Sequence, residues 1–261
     1  MNFFKKNNAK NAFNYVEEQQ GIINRFLREN GGWDSHLKNT QNYIVESIQN
    51  KPIKSIAILG SGWLLDVPMA FLLENLQKIY LVDIHHPPQI KHKYRKNKKI
   101  VFIETDITAG LISGFYETLK TVNKTKVKVE LIPETITENN FGLTHKADFY
   151  VSVNLLNQLD ILIVDYIEKF KIYNIAELEN IRKIIQQQHI DFLPKGQSCL
   201  ITDFEEINLN NENQIIDSKQ LVYCELPLKT HYKEWEWNFD FQKTYHTKCK
   251  TLFKVMAFNI I

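Results

Sequence analysis

A chain of 261 residues with 32 basic and 30 acidic side chains has a formal charge of only +2, so no net field draws it to nucleic acid or to a membrane surface. Its 44% hydrophobic and 24% charged content is that of a globular protein, and no apolar run approaches the ~20 residues of a membrane helix. Cys199, Cys224 and Cys249 show no CxxC spacing and cannot all pair, which argues against a disulfide framework and for a reducing, cytoplasmic setting.

The N-terminal stretch MNFFKKNNAKNAF lacks the apolar centre of a signal peptide, and residues 1–10 are polar enough to fray. Ala12 to Arg28 predicts an amphipathic helix with Phe13, Val16, Ile23, Phe26 and Leu27 on its apolar side. Gly31-Gly32 ends it. A second helix runs from Asp34 or Ser35 to about Gln49, with Leu37, Tyr43, Ile44 and Ile48 inward. This pair either packs on the sheet that follows or covers its ligand edge. Trp33 and His36, at the start of the second helix, read as packing residues before lid residues.

The centre of the chain is KSIAILGSGWLLDVP, Lys54 to Pro68. Ile56 to Leu59 form an apolar run too short for a buried helix. Gly60-Ser61-Gly62 breaks it, and Leu64, Leu65, Met69, Leu72, Leu73 and Leu76 then recur at helical spacing. The pattern is strand, glycine turn, helix. In an open α/β sheet a ligand sits beyond the strand's carboxyl end at such a point.

Lys78 to Val82 predicts a second strand ending at Asp83, and Ile100 to Glu104 a third, closed by Thr105-Asp106. Between them, His85-His86-Pro87-Pro88 breaks the pattern and the basic run Lys91–Lys99 reads as a solvated connection. A helix spans Leu111 to Val122, and residues 124–140 alternate enough for a strand or hairpin. Asp148 to Val153 is a strand ending at Asn154, followed by helices near 159–171 and 176–190. Ser198 to Phe204 is the fifth core strand. Gln220 to Leu226, Trp235 to Phe241 and Leu252 to Ile260 complete the strands. In Trp235–Phe241 aromatics alternate with polar residues, the signature of a half-buried sheet face and not of a base-stacking platform. The order predicts a doubly wound, mostly parallel α/β sheet of seven strands with antiparallel C-terminal additions. The expected organisation is a helical arm over residues 1–50 and a Rossmann-like domain over 51–261.

Three strand ends carry the chemistry. The first holds Gly60, Ser61 and Gly62. The second ends in Asp83, where a carboxylate can accept both hydroxyls of a ribose. The third ends in Asp106-Ile107, where an acid can take an adenine amino group and an aliphatic chain can pack on the ring. The dinucleotide fingerprint needs glycine where this chain has Leu65, and there is no GK[ST] phosphate loop. A ligand with ribose and adenine but no phosphate fits better, and S-adenosylmethionine is that ligand.

On IAILGSGWL, LVDIHHP, IETDIT and, less closely, ADFYVSVNLLNQL, the sequence resembles the class I S-adenosylmethionine-dependent methyltransferases over roughly residues 52–165. The resemblance implies that Gly60, Ser61 and Gly62 face the methionine and ribose of the cofactor. Asp83, with Ile84 beside it, would hold the ribose, Asp106 and Ile107 the adenine, and Asn154 would lie toward the transferred methyl. The chain departs from the family at Ala57 and Ile58, where an acidic residue is common, and at Trp63-Leu64, where a third glycine is expected. No Asn-Pro-Pro-Tyr motif follows the fourth strand, so nucleic acid is not the expected partner. A small-molecule acceptor is, and oligomeric state is not readable. His86 is a candidate for substrate contact or general base. Asp66 reads as a helix-capping acid. His85, His86 and His92 lack the companions of a metal site. The alternatives are a non-catalytic binding protein on a degenerate methyltransferase fold and a nicotinamide-dependent oxidoreductase.

Overall fold

The computed structural model describes residues 13–108, 110–125, 127–129, 131 and 146–261. Among these residues two helices come first, α1 (Tyr15–Arg28) and α2 (Asp34–Ile48). Strands and helices then alternate: β1 (Ser55–Leu59), α3 (Met69–Asn75), β2 (Lys78–Asp83), α4 (Pro88–Tyr94), β3 (Ile100–Glu104) and α5 (Leu111–Thr125). After β4 (Phe149–Val153) come α6 (Gln158–Glu168) and α7 (Ile175–Phe192), and four strands finish the chain: β5 (Ser198–Leu209), β6 (Ile215–Gln220), β7 (Lys229–Asp240) and β8 (Lys250–Ile260).

The main sheet has the order β3-β2-β1-β4-β5-β8-β7. β1 to β5 pair in parallel. β8 is antiparallel to both β5 and β7, so β7 points the same way as β5. This is the seven-stranded, mostly parallel, Rossmann-like sheet expected from the sequence. An eighth strand, β6, adds antiparallel along the outer half of β5.

Strand periodicity divides the core between two faces. Ala57, Leu59, Tyr80 and Val82 pack under α5, α6 and α7. Ile56, Ile58, Ile79 and Leu81 point the other way, into a layer containing Tyr43, Ile44 and Ile48 of α2 and Met69 and Leu72 of α3. The arm is thus a packing layer in its second helix. Its first helix does something else. Tyr15 packs with the first cluster, while Ile22 and Phe26 pack with the second. α1 therefore crosses the carboxyl edge of the sheet from one face to the other. Val16 and Leu27, expected on its buried side, are exposed, because the edge-facing side is the one bearing Gln19, Ile22 and Phe26.

Several expectations need correction. The helix after the glycine turn begins at Met69, not Leu64. Leu64 has φ +58°, and Pro68 forces the preceding residue toward extended geometry while suiting a helix start. Leu64 and Leu65 still pack on the second core, but from a loop. The basic run starts inside the short helix α4 and continues past its end, with Lys91 paired to Glu104 at 2.8 Å. Residues 124–125 end α5, 127–129 and 131 form no strand, and the rest of the predicted hairpin lies outside the described residues, as do residues 1–12. Finally, the strand expected at Gln220–Leu226 ends at Gln220. Its backbone groups are taken by α7 instead: Tyr223 N–H donates to Gln186 Oε1 at 2.7 Å, Glu225 N–H to Gln187 Oε1 at 2.9 Å, and Gln186 Nε2 donates to Leu221 O at 2.9 Å. A segment whose ladder groups are consumed by glutamines cannot join a sheet.

Trp33 fixes the arm to the far side of the sheet. It is buried, donates from Nε1 to Phe239 O at 2.8 Å and stacks on Phe239, with Trp237 edge-on at 4.9 Å. Trp33→Ala should cost about 3–5 kcal/mol in urea unfolding, whereas truncating exposed Leu27 should cost less than about 0.5 kcal/mol.

Candidate functional site

A cavity of about 470 Å³ lies at the carboxyl edge of the sheet, under α1. Gly60, Ser61, Gly62, Asp83, Ile84, Ile107 and Asn154 all line it. The structure thus brings together all but one of the predicted site residues. The exception is Asp106, which does not line the cavity. Its Oδ1 accepts from the backbone N–H and hydroxyl of Thr108, two residues on, as a turn-closing acid does before a helix. Thr108 itself faces the cavity in its place. A larger groove of about 800 Å³ lies at the amino ends of β4 and β5, by Tyr150 and Gln197. It gathers none of these groups.

Gly60 is demanded by packing. It has φ +82°, and a Cβ there would lie 2.9 Å from Val153 O and 3.0 Å from Leu155 Cβ. Gly62 is looser, and its N–H donates to Asp83 Oδ2 at 2.8 Å. Asp83 Oδ1 accepts from Gln19 Nε2 of α1 at 2.9 Å and from His85 N–H at 3.2 Å. Trp63 does not fill the cavity. It lies in the wall and donates from Nε1 to Gln19 O at 2.7 Å. The other end of α1 is tied down by Glu29, whose carboxylate accepts from Phe241 N–H and Gln242 N–H at 3.1 and 3.0 Å. α1 is a strap fastened at both ends.

Ser61 is buried and its hydroxyl meets His86 Nε2 at 3.1 Å. His86 has no exposed surface and does not line the cavity, which corrects its candidacy as a substrate-facing base. Burial lowers its pKa to about 4, against a smaller opposing pull from Glu104. It is a neutral post beneath the glycine turn. Among the described residues, no group of three or more His, Cys, Asp or Glu side chains is arranged to hold a metal ion, and no helix is long and apolar enough to cross a membrane.

Asn154 takes a left-handed φ of +45° at the end of β4. Its side-chain amide stands 2.7 Å from Asp66 Oδ2 and 3.1 Å from His36 Nε2. Trp235 Nε1–H donates to His36 Nδ1 at 3.1 Å, so the neutral ring carries its proton on Nε2. Burial lowers the His36 pKa to about 3 and raises that of Asp66, against the opposing pull of the Asn154 Nδ2–H bond to its carboxylate. Asp66 is therefore a wall of the site and not a helix cap, since α3 starts beyond it.

The second half of the cavity lies over β5, β8 and β7. Its walls are Trp237, Phe239 and Tyr245, with His36 stacked on Trp237 at 4.0 Å. Asp203 of β5 and Asn157, the residue before α6, meet there, Asn157 Nδ2 donating to Asp203 Oδ2 at 2.6 Å. None of these is a site residue in the sequence reading. Asp203 carries a detectable signal, because it stands at the carboxyl end of a predicted strand like Asp83. Asn157 and the aromatic wall carry none, because only the strand order β4-β5-β8-β7 brings them to the same edge.

No family model matches the chain, and no curated protein matches it. Solved structures similar to it include the N-methyltransferase NodS from Bradyrhizobium japonicum in complex with S-adenosyl-L-homocysteine, 8% identical, covering 85% of this chain and 86% of that one with a TM-score of 0.39. A second is the 1,6-didemethyltoxoflavin-N1-methyltransferase of Burkholderia thailandensis, 10% identical over 94% of this chain and 90% of that one, TM-score 0.38. A third is a Listeria monocytogenes protein described as a putative S-adenosylmethionine-dependent methyltransferase, 9% identical over 85% and 98%, TM-score 0.35. Likeness at this level carries no argument about chemistry, which rests on the chain's own residues.

Burial raises the Asp203 pKa from 3.8 to about 6. A carboxyl group whose folded pKa is raised favours the folded state at low pH and loses that contribution as pH climbs through the folded value. Asp203→Asn removes the loss. Relative to the unsubstituted protein, the variant should be about equally stable below pH 4 and more stable by about 1–3 kcal/mol at pH 7, read by denaturant unfolding across that range.

Proposed function

We propose that the chain is an S-adenosylmethionine-dependent methyltransferase acting on a small-molecule acceptor. One observation carries the reading. The glycine turn after β1 and the carboxylate ending β2 share a cavity, yet no helix begins at that turn. α3 starts only at Met69, well beyond Gly62, so the row of N–H groups that would hold a pyrophosphate is missing. The same absence, with Leu65 in place of glycine, disfavours a nicotinamide dinucleotide. A phosphate-free nucleoside suits what is left.

In this reading Asp83 presents its carboxylate to the ribose hydroxyls, and Ile84 and Ile107 flank the base. Gly60, Ser61 and Gly62 lie along the ribose and methionine, and Asn154 borders the methyl. The bound cofactor supplies a methyl group on a sulfonium, already activated toward a nucleophile. The chain's own contribution is to bind, to orient and to exclude water, with α1 as the roof. Gln19 now donates to the Asp83 oxygen that a ribose would use, so cofactor entry requires Gln19 to share or yield it.

Asp83→Asn keeps the side chain's size but halves its accepting capacity. It should weaken S-adenosylhomocysteine binding more than tenfold, about 1.4 kcal/mol, in calorimetric titration. An unchanged dissociation constant would remove Asp83 from the site.

A further inference from the structure

The half of the cavity over β5 and β7 is built for a ligand that the cofactor reading alone does not describe. Asn157 occupies the position before α6 where an asparagine ordinarily caps the helix, but it makes no cap. Its Nδ2 instead reaches Asp203 Oδ2 at 2.6 Å. The partnership leaves two acceptors without a hydrogen-bond partner among the described residues, Asn157 Oδ1 and Asp203 Oδ1. Both side chains are 3% exposed and both line the cavity. A buried acceptor left without a donor costs about 1–3 kcal/mol, so an adjacent pair is a feature awaiting donors.

Their surroundings narrow the donor. Asp203 forms no ion pair among the described residues, and its nearby acid, Glu206, only adds negative charge. Arg25, the one Lys or Arg among the described residues of the wall, lies over the rings of Phe239 and Tyr245 at 4.7 and 5.1 Å. The walls there are aromatic: Trp237, Phe239, Tyr245 and Phe253. Trp237 Nε1–H, also buried, has no acceptor among the described residues. The local complement is therefore two adjacent N–H donors on a planar ring that also offers one acceptor.

We infer that the methyl acceptor is a flat, weakly basic aromatic or heteroaromatic amine, its NH2 group held by Asp203 and Asn157 beside the aromatic wall of Trp237, Phe239 and Tyr245. The inference rests on the methyltransferase reading above. In the transfer, the nitrogen lone pair forms the new N–CH3 bond. The C–S bond breaks, sulfur keeps its electron pair and leaves as the uncharged thioether, and the proton shed by the methylated nitrogen passes to Asp203 and then to solvent. A weakly basic amine is required because the nitrogen must arrive with its lone pair free.

The test uses the full chain with S-adenosylhomocysteine bound and four matched flat probes: 2-naphthylamine, 2-aminoquinoline, 2-naphthol and 2-naphthoate. Binding is followed by tryptophan fluorescence, and transfer by mass spectrometry with S-adenosylmethionine in place of the product. The two amines should bind at least tenfold more tightly than the naphthol or naphthoate and gain the methyl on nitrogen. Asp203→Asn should weaken amine binding tenfold or more while S-adenosylhomocysteine affinity stays within twofold, which also shows that the variant is folded. Preference for the naphthol or naphthoate, no amine binding to the cofactor-loaded protein, or amine binding unchanged in Asp203→Asn would overturn the inference and leave the cofactor assignment standing. Failure of S-adenosylhomocysteine to bind the unsubstituted protein would overturn both.

Discussion

The site depends on one close approach. Gly60 stands where β1 ends against the end of β4, and a Cβ there would lie 2.9 Å from Val153 O. This contact sits at the point where the strand order turns from β3-β2-β1 to β4-β5. In a doubly wound sheet that reversal opens a crevice at the carboxyl edge, because the connections on its two sides leave toward opposite faces. Gly60 sets how tightly the crevice closes at its floor. Everything placed around it, including Asp83 to one side and Asn154 and Asp203 to the other, is placed relative to that turn.

The crevice becomes a cavity because α1 is stretched across it. Its packing is divided between both cores, and its fastenings include bonds from side chain to backbone: Trp63 to the Gln19 carbonyl, and Glu29 to Phe241 and Gln242 at the other end. Such fastenings break more readily than a buried apolar interface, and each can re-form without repacking the sheet. The Gln19–Asp83 contact gives the strap a direct stake in what occupies the cavity beside Asp83. A ligand that takes Asp83 must displace or recruit the same side chain that holds the roof in register.

How far the sequence reveals this depends on the range of the interactions. β3 is bounded by its predicted residues, and Asp83 and Ile107 are legible, because apolar runs and strand-terminal acids are local signals. The start of α3 is not, because leucine spacing continues through Leu64 and Leu65, while the decisive events, a left-handed Leu64 and the stop at Pro68, concern backbone and not hydrophobicity. The rule that finds Asp83 also points to Asp106. Asp106 turns back to Thr108 whereas Asp83 lines the cavity, and spacing alone does not separate the two outcomes. The half of the cavity over β5 and β7 is invisible for a different reason. Its members span residues 25 to 253, and the pairing of β7 with β8 is what turns Trp237 and Phe239 to the cavity.

Burial also sets the electrical character of the walls. It holds His36 neutral and raises the Asp66 pKa. Asp203 stands apart, at the far end and over β5, close enough to neutral pH in its titration to ionise when a donor arrives. In the proposed transfer, positive charge leaves sulfur and builds on the acceptor nitrogen. A carboxylate on the nitrogen side therefore attracts the transition state more strongly than the starting complex, whose charge lies farther from it. That difference, and not tight binding of the cofactor, is what accelerates a methyl transfer.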